Sequence, residues 1–381
     1  MMTNISKFQR ISNTAIICLM LAYQYFSKGD YNPLYADAVA YSAGFLCAIK
    51  IIGIYKSPMI HNPFRNNQQY WIILITLGII SILYYFCQNR LDLLMAFFIA
   101  LAIQNWNTED FFTTCGAAGT LFFGIHLILF QLGFIHDFVP AMERLTDNGM
   151  IYRSALGFSH PNFVGLFIMV ILAAALGCKN KVKRITFLVI SVSYSLISFS
   201  YTDSRTSLYC VIVGCIIFFI GPLINNRLLP LLFTLITIVN ITLNCFLSLV
   251  YHNNNDVNFF WSQRPRIFYE LLQNGIPLYG NAVLKDKYNR GYSIDNFWFN
   301  ILFFYGLIFL VVIFFLVYNL CRTSVMENNP YISYIVIIYS IYGFTENHVL
   351  DYGFSLIAPL MFIAILNRQF FILPHPTRLD S

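Results

Sequence analysis

The sequence predicts an all-α integral membrane protein, with about twelve transmembrane helices and one long external loop. Three observations carry that expectation. Of the 381 residues, 58% are hydrophobic and only 10% are charged, with a mean hydropathy of +0.65, outside the range of soluble globular domains. Apolar runs that approach the length needed to span a bilayer recur along the whole chain. The alternating pattern of a transmembrane barrel is absent, so helices must satisfy the backbone inside the membrane.

In chain order the runs cover 11–27, 34–54, 70–86, 91–105, 111–135, 161–177, 185–201, 206–221, 228–251, 296–320, 331–344 and 354–370. The run at 91–105 is short and ends in Gln104 and Asn105. The first run follows Lys7 and Arg10 and has no small-residue cleavage site, so it reads as a retained helix and not as a signal peptide. No internal repeat, low-complexity tract or soluble domain breaks the series, and residues 1–381 read as a single membrane domain. The nine cysteines lie in or at the ends of predicted helices with no CxxC pair, which argues against a disulfide framework and against a zinc site.

Short loops rich in Lys and Arg stay cytoplasmic. The clearest is KNKVKR, 179–184, supported by the N-terminal segment, by Lys56 and Arg65, and by Arg368 and Arg378. About twelve spans then place both termini inside. The outer segments become the turn near 30, 136–160, 202–206, 252–295 and 345–353. The formal charge of +6 reads as topology; no basic patch with interleaved aromatics occurs, so nucleic acid is not expected as a partner. Loop 252–295 is the only long hydrophilic segment, and loops of that length are usually lids or binding loops when ordered. Its Phe259, Phe260, Trp261, Ile267, Phe268, Tyr269, Leu271 and Leu272 predict order, with a short amphipathic helix on the outer membrane surface.

The unusual polar residues sit in those outer segments. In RSALGFSHPN, from Arg153, Pro161 suits the first turn of a helix and Ser159 or His160 can cap it, which leaves Arg153 unexplained. In YTDSRTSL, from Tyr201, Arg205 must sit at the mouth of the bundle, where Asp203 can pair with it or lipid phosphate can receive it. In the long loop, Arg264 and Arg266 flank Pro265 ahead of Gly275, Pro277 and Gly280; a solvated basic face is the bland reading. Asp295 and Asn296 open the next helix, where Asp295 suits an N-cap. Glu346, His348 and Asp351 follow on the same side.

Each segment alone has a structural explanation, and their coincidence at one depth carries the functional inference. Arginine offers a planar fork of donors that matches phosphate and keeps its charge, so Arg153, Arg205, Arg264 and Arg266 converging read as a phosphate or pyrophosphate clamp. A carboxylate or imidazole beside them, from Asp295, His160 or Glu346, can act as general base. The chain has no GxxxxGK[ST], no GxGxxG, no DxD and no HExxH. Neither a nucleotide, a cofactor nor a metal is therefore expected, and arginines must meet the charge on a departing diphosphate.

The order of these motifs resembles that of the O-antigen ligase and polysaccharide polymerase superfamily, and most of all its Wzy-type repeat-unit polymerases of capsule and exopolysaccharide synthesis. The matching pieces are R-x3-GF-x-HPN from Arg153 to Asn162, SR-x-S from Ser204 to Ser207, R-x-R then P-x-x-G from Arg264 to Gly280, and DN-x3-N-x5-G from Asp295 to Gly306. The resemblance implies a membrane-embedded glycosyltransferase of the C type in the bacterial cytoplasmic membrane. It would act at the outer face on undecaprenyl-pyrophosphate-linked oligosaccharide, with a separate chain-length regulator as partner. By the same analogy Arg205 and one of Arg264 and Arg266 contact the pyrophosphate, and the residue opening the helix after the long loop is the base. Ligases of the superfamily typically carry His there; this chain carries Asp295, which favours polymerase over ligase and leaves His160 as the alternative base or a sugar-binding residue. Arg153, Asn162 and Glu346 complete the expected binding set. A ligase, or a transporter for lipid-linked units, stays open as an alternative. A transporter tends to place ionisable groups near the midplane, where this chain offers only His126, Gln104 and Gln131, with Asp37 and Lys50 near opposite ends of one helix.

Overall fold

The computed structural model describes residues 2–29, 31, 33–56, 68–88, 92–137, 142–146, 149–261, 263–280, 294–346 and 355–367. Arg65, His348, Asp351, Arg368 and Arg378, and loop residues 281–293, lie outside the described residues. A helix occupies every one of the predicted apolar runs. These are α1 (Met2–Lys28), α2 (Pro33–Lys56), α3 (Gln68–Gln88), α4 (Asp92–Ile103), α5 (Thr108–Gln131), α6 (Phe163–Gly177), α7 (Lys181–Thr202), α8 (Arg205–Ile220) and α9 (Leu229–Tyr251). After α9 come two short helices of the long loop, α10 (Asn255–Phe260) and α11 (Arg264–Gln273), then α12 (Phe297–Asn300), α13 (Leu307–Met326), α14 (Pro330–Tyr342) and α15 (Ile357–Leu366). Among the described residues, six stretches are long and apolar enough to cross a membrane: Leu34–Gly53, Thr108–Gln131, Lys181–Thr202, Arg205–Leu223, Asn226–Tyr251 and Leu307–Met326. The protein is a multi-pass helical membrane protein. One departure from an all-helical chain occurs among the described residues: an antiparallel hairpin of β1 (Met142–Thr146) and β2 (Gly149–Arg153) in the segment before α6.

The central helix is α6. From Val164 to Gly177 every residue is buried, and a helix that is apolar all round belongs in an interior. It packs against α5, α7 and α8. Near its start Gly165 lets α8 come close: a Cβ there would lie 2.8 Å from Ser207 Cβ, so only a small residue allows the contact. Asparagines cap several of the surrounding helices. Asn107 accepts from Asp110 N at α5, Asn180 from Val182 and Lys183 N at α7, and Asn254 from Val257 N at α10.

Polar connections sort the loops into two ends. At one end Ser159 N donates to Lys28 O, Ser154 N to Tyr201 O and Thr345 Oγ1 to Thr206 Oγ1. At the other, Arg10 pairs with Asp110 at 2.9 Å and Lys183 with Glu109 at 3.0 Å, while Arg184 stacks over Phe218 and Tyr331. The basic cluster 179–184 thus lies at the far end of the bundle from the arginine-bearing segments.

Two expectations change. The run 296–320 is not one helix: α12 passes into a π-helical turn, Ile301–Tyr305, and breaks at Gly306, φ +91°, before α13 begins. The Pro277–Gly280 segment fills the break, with Leu307 N donating to Pro277 O at 2.9 Å. The amphipathic helix of the long loop exists as α11, but its apolar face lies on protein and not on lipid. Ile267, Phe268 and Leu271 join Ile294, Phe299, Leu302, Phe303 and Phe304 in a small core of their own. Ile267, Phe268 and Leu271 clamp α11 over the end of α9 and onto that core, whereas Phe259 and Phe260 of α10 are exposed.

Gly306→Ala tests the break. A Cβ at 306 would stand 2.6 Å from Leu278 O at a φ that alanine rarely adopts. The substitution should lower unfolding stability by about 2 kcal/mol or more, read as loss of thermal or SDS resistance of the purified protein, whereas Gly275→Ala, at φ +81° but with open space around it, should cost less.

Candidate functional site

The hairpin and the turn that follows it deliver Arg153 to the end of α7. Asp137 organises that turn: its Oδ1 accepts from Ala155 N and Gly157 N, both at 3.0 Å, and holds Leu156 and Gly157 at positive φ. Arg153 Nε donates to Thr202 O at 2.6 Å and its Nη2 to Asn162 Oδ1 at 3.2 Å. Asn162 turns its amide to Glu346, donating from Nδ2 to Oε1 at 2.8 Å. From the far side comes Arg264, at the start of α11, whose Nη2 donates to Thr345 O at 3.0 Å and stands 4.0 Å from Asp295 Oδ2. Glu346 feels the charges of Asp295, Arg264 and Arg153 together. Five of the expected site residues, Arg153, Asn162, Arg264, Asp295 and Glu346, therefore form one connected constellation drawn from four separate parts of the chain.

Glu346 is buried. Burial drives its carboxyl well above the usual carboxylate range and Asp295 adds to the rise, against the opposing pull of Arg264, Arg153 and the Asn162 hydrogen bond. A carboxyl shifted in this direction gives up its negative charge more readily, which leaves Arg153 and Arg264 better able to hold an anionic ligand. The Arg264 side chain is only 13% exposed, and its buried Nε has no hydrogen-bond acceptor among the described residues. A buried donor without a partner costs on the order of 1–3 kcal/mol, so this one is aimed where an acceptor has most to gain. Asp295 is 35% exposed and opens toward solvent beside it.

Other expected residues sit differently. Arg266 lies two positions from Arg264 on the same helix, and residues so spaced point to opposite faces. Its side chain is 69% exposed and pairs with Glu270 at 3.8 Å, outside the constellation that holds Arg264. Arg205 is 47% exposed, its Nε 3.5 Å from Asp203 Oδ1, as the hairpin spacing suggests. It opens α8 one residue before Thr206, which accepts from Thr345. His160 caps the turn into α6, its Nδ1 accepting from Asn162 N at 3.1 Å; that lone pair is engaged. The N-cap of α12 is Asn296 and not Asp295: the Asn296 Oδ1 accepts from Phe299 N at 3.0 Å, which leaves the Asp295 carboxylate to Arg264.

Sequence reading missed the floor of the site. Asn296 Nδ2 donates to Asn240 Oδ1 at 2.8 Å and to Phe344 O at 3.0 Å, and Asn244 Nδ2 also donates to Asn240. Thr237, Asn240, Asn244 and Ser248 are buried along α9. Their spacing of three and four residues inside an apolar helix was the available signal. The three polar residues relevant to a transporter are all tied to local structure: His126 donates from Nε2 to Leu156 O and bonds Tyr25 OH through Nδ1, Gln104 donates to Leu101 O, and Gln131 to Tyr201 OH at the end of α5. No group of three or more His, Cys, Asp or Glu able to hold a metal occurs among the described residues.

No family model matches the chain, and no curated protein and no solved structure matches it significantly. Its function must be argued from these residues.

Glu346→Gln probes the buried carboxyl. A group whose pKa is raised by folding supports the fold most fully below its unfolded value, about 4.3 for Glu, and loses that support as pH rises toward the folded value. The Gln variant keeps an acceptor for Asn162 and does not titrate, so its melting temperature should match the wild type near pH 4 and increasingly exceed it as pH rises. A wild type that gains on the variant with rising pH would show the opposite shift. Asn162→Ala, which strips a donor from a buried acceptor, should cost about 1–3 kcal/mol.

Proposed function

We propose that the protein is a polysaccharide polymerase: a glycosyltransferase at the outer face of the bacterial cytoplasmic membrane, built on about twelve spans, that joins oligosaccharide repeat units carried on undecaprenyl pyrophosphate. The observation that carries this reading is Arg264, a buried guanidinium with an unpartnered donor beside the half-exposed carboxylate of Asp295. An anion-binding fork next to a base is what transfer from a lipid pyrophosphate requires, because the leaving group is already a good one and the nucleophile is a weak sugar hydroxyl.

In the proposed reaction a hydroxyl of an incoming lipid-linked repeat unit gives its proton to the Asp295 carboxylate as its oxygen bonds to the anomeric carbon of the growing chain. The bond from that carbon to the pyrophosphate breaks, and the electron pair leaves with undecaprenyl pyrophosphate. Arg264 meets the charge that develops on the departing oxygens, and Arg205 receives the outer phosphate at the mouth of the bundle. Arg153 positions Asn162, which in turn donates to Glu346 and fixes the carboxyl beside the reacting groups. Glu346 is buried and holds its proton more tightly than a free carboxyl, which makes it a poorer nucleophile and favours a single displacement with inversion at the anomeric centre over a covalent intermediate. Arg266, on the outer face of α11, has no part in the displacement.

Purified protein given synthetic lipid-linked repeat units, with no sugar nucleotide, should release a ladder of longer lipid-linked products. Asp295→Asn should slow it by roughly 10²- to 10⁴-fold and Arg264→Lys by roughly 10²- to 10³-fold, because a point charge does not replace the fork. Arg266→Gln should leave the rate within a few-fold of wild type. An unchanged ladder from Asp295→Asn would remove it as the base, and failure to extend any lipid-linked unit would remove the polymerase reading.

A further inference from the structure

At the opposite end of the bundle from this site, the start of α9 and the end of α13 leave an open groove of about 670 Å³. Its walls include Leu231, Phe315, Tyr318 and Met326, and Arg227 and Arg322 stand on it from the two sides. Leu231, Phe315 and Met326 are exposed apolar side chains on helices apolar enough to cross a membrane, so the wall is a surface made for acyl chains. Arg227 lies in the short turn before α9, and Arg322 one turn from the end of α13. Neither guanidinium has a hydrogen-bond or ion-pair partner for its side chain among the described residues. Both arginines at the constellation are engaged by carbonyls or amides; these two are not.

We propose that this groove is a binding site for an anionic phospholipid, with Arg227 and Arg322 on its phosphate and its chains along Leu231, Phe315 and Met326. The end of the bundle argues for it as well as the lining. The same end carries Lys179, Lys181, Lys183 and Arg184, and basic residues gather at the cytoplasmic face. Basic pockets between membrane helices on that side select anionic headgroups, and the arginine fork matches a phosphate diester's two free oxygens. The α9 helix, 23 residues long, spans about 35 Å, so this lipid site and the constellation lie in different leaflets and compete for no ligand. The site is independent of the proposed catalytic function and rests only on the membrane character of the chain.

Native mass spectrometry of the detergent-purified full chain tests it, with phosphatidylglycerol and phosphatidylcholine of identical chains as probes. The wild type should retain phosphatidylglycerol in preference to phosphatidylcholine, and an excess of inorganic phosphate should not displace it. Arg227→Gln combined with Arg322→Gln should reduce phosphatidylglycerol retention by about 10- to 30-fold, at roughly 1 kcal/mol per basic residue, and leave phosphatidylcholine unchanged. Leu231→Glu, which keeps both arginines and places a carboxylate in the groove, should do the same. Equal retention of the two lipids, displacement by inorganic phosphate, or a double variant that binds as the wild type does would each overturn the assignment.

Discussion

The constraint on which the site depends is the burial of the Glu346 carboxyl. A carboxyl removed from water costs several kcal/mol unless it is hydrogen-bonded and either neutral or paired, and here the compensation comes from distant segments. Asn162 supplies a hydrogen bond from the start of α6, while Arg153 at the hairpin and Arg264 at α11 supply charge. Each is fixed in turn by backbone: Arg153 by Thr202 O, Arg264 by Thr345 O. Withdraw the carboxyl and the group on which these segments converge is lost, leaving pairwise bonds such as those from Arg153 to Asn162 and from Arg264 to Thr345 O.

Much of this was legible in the sequence, for physical reasons that differ between elements. The helices could be located because burial in lipid or in protein demands continuous apolar residues, and lipid leaves no alternative to the helix for the backbone. Helix length was less legible. The interior helices α6, α14 and α15 are 15, 13 and 10 residues long; composition does not distinguish an apolar residue inside a helix from one in the buried turn beyond it. The break at Gly306 hides for the same reason, since Ile301 to Tyr305 read as uninterrupted hydrocarbon. Only a glycine at fixed spacing from Asp295 marked it, and its meaning lay in the Pro277–Gly280 segment that packs against it.

Site residues divide along another line. Charge types predict which segments converge, because buried charges need partners, and Arg153, Arg264, Asp295 and Glu346 do converge. They do not predict which of two neighbouring arginines turns inward. That choice between Arg264 and Arg266 follows from the face α11 buries, with Ile267, Phe268 and Leu271 fixing the rotation of the helix. Asp295 and Asn296 pose the same problem at one residue's spacing: both are good caps, and Asn296 takes the cap because its amide can also donate to Asn240 and Phe344 O, which a carboxylate cannot. The asparagine's second function is what leaves the aspartate exposed beside Arg264.

The interior between the two ends limits what the molecule can do. α6 runs through its centre with every residue from Val164 to Gly177 apolar or glycine and buried, and α15 is buried from Ile357 to Ala364 beside α4 and α13. The buried polar groups of α9 descend from the site only as far as Thr237, and from there Phe233, Leu229 and Pro230 close the helix toward the far end. Among the described residues, α6, α9 and α15 offer no continuous line of polar groups between the two ends. On the proposed polymerase reading, donor and acceptor approach the constellation from the same leaflet. On the same reading a product carried on lipid leaves sideways by the route it entered, past the partly exposed Arg205 and Asp295, while Glu346 stays buried.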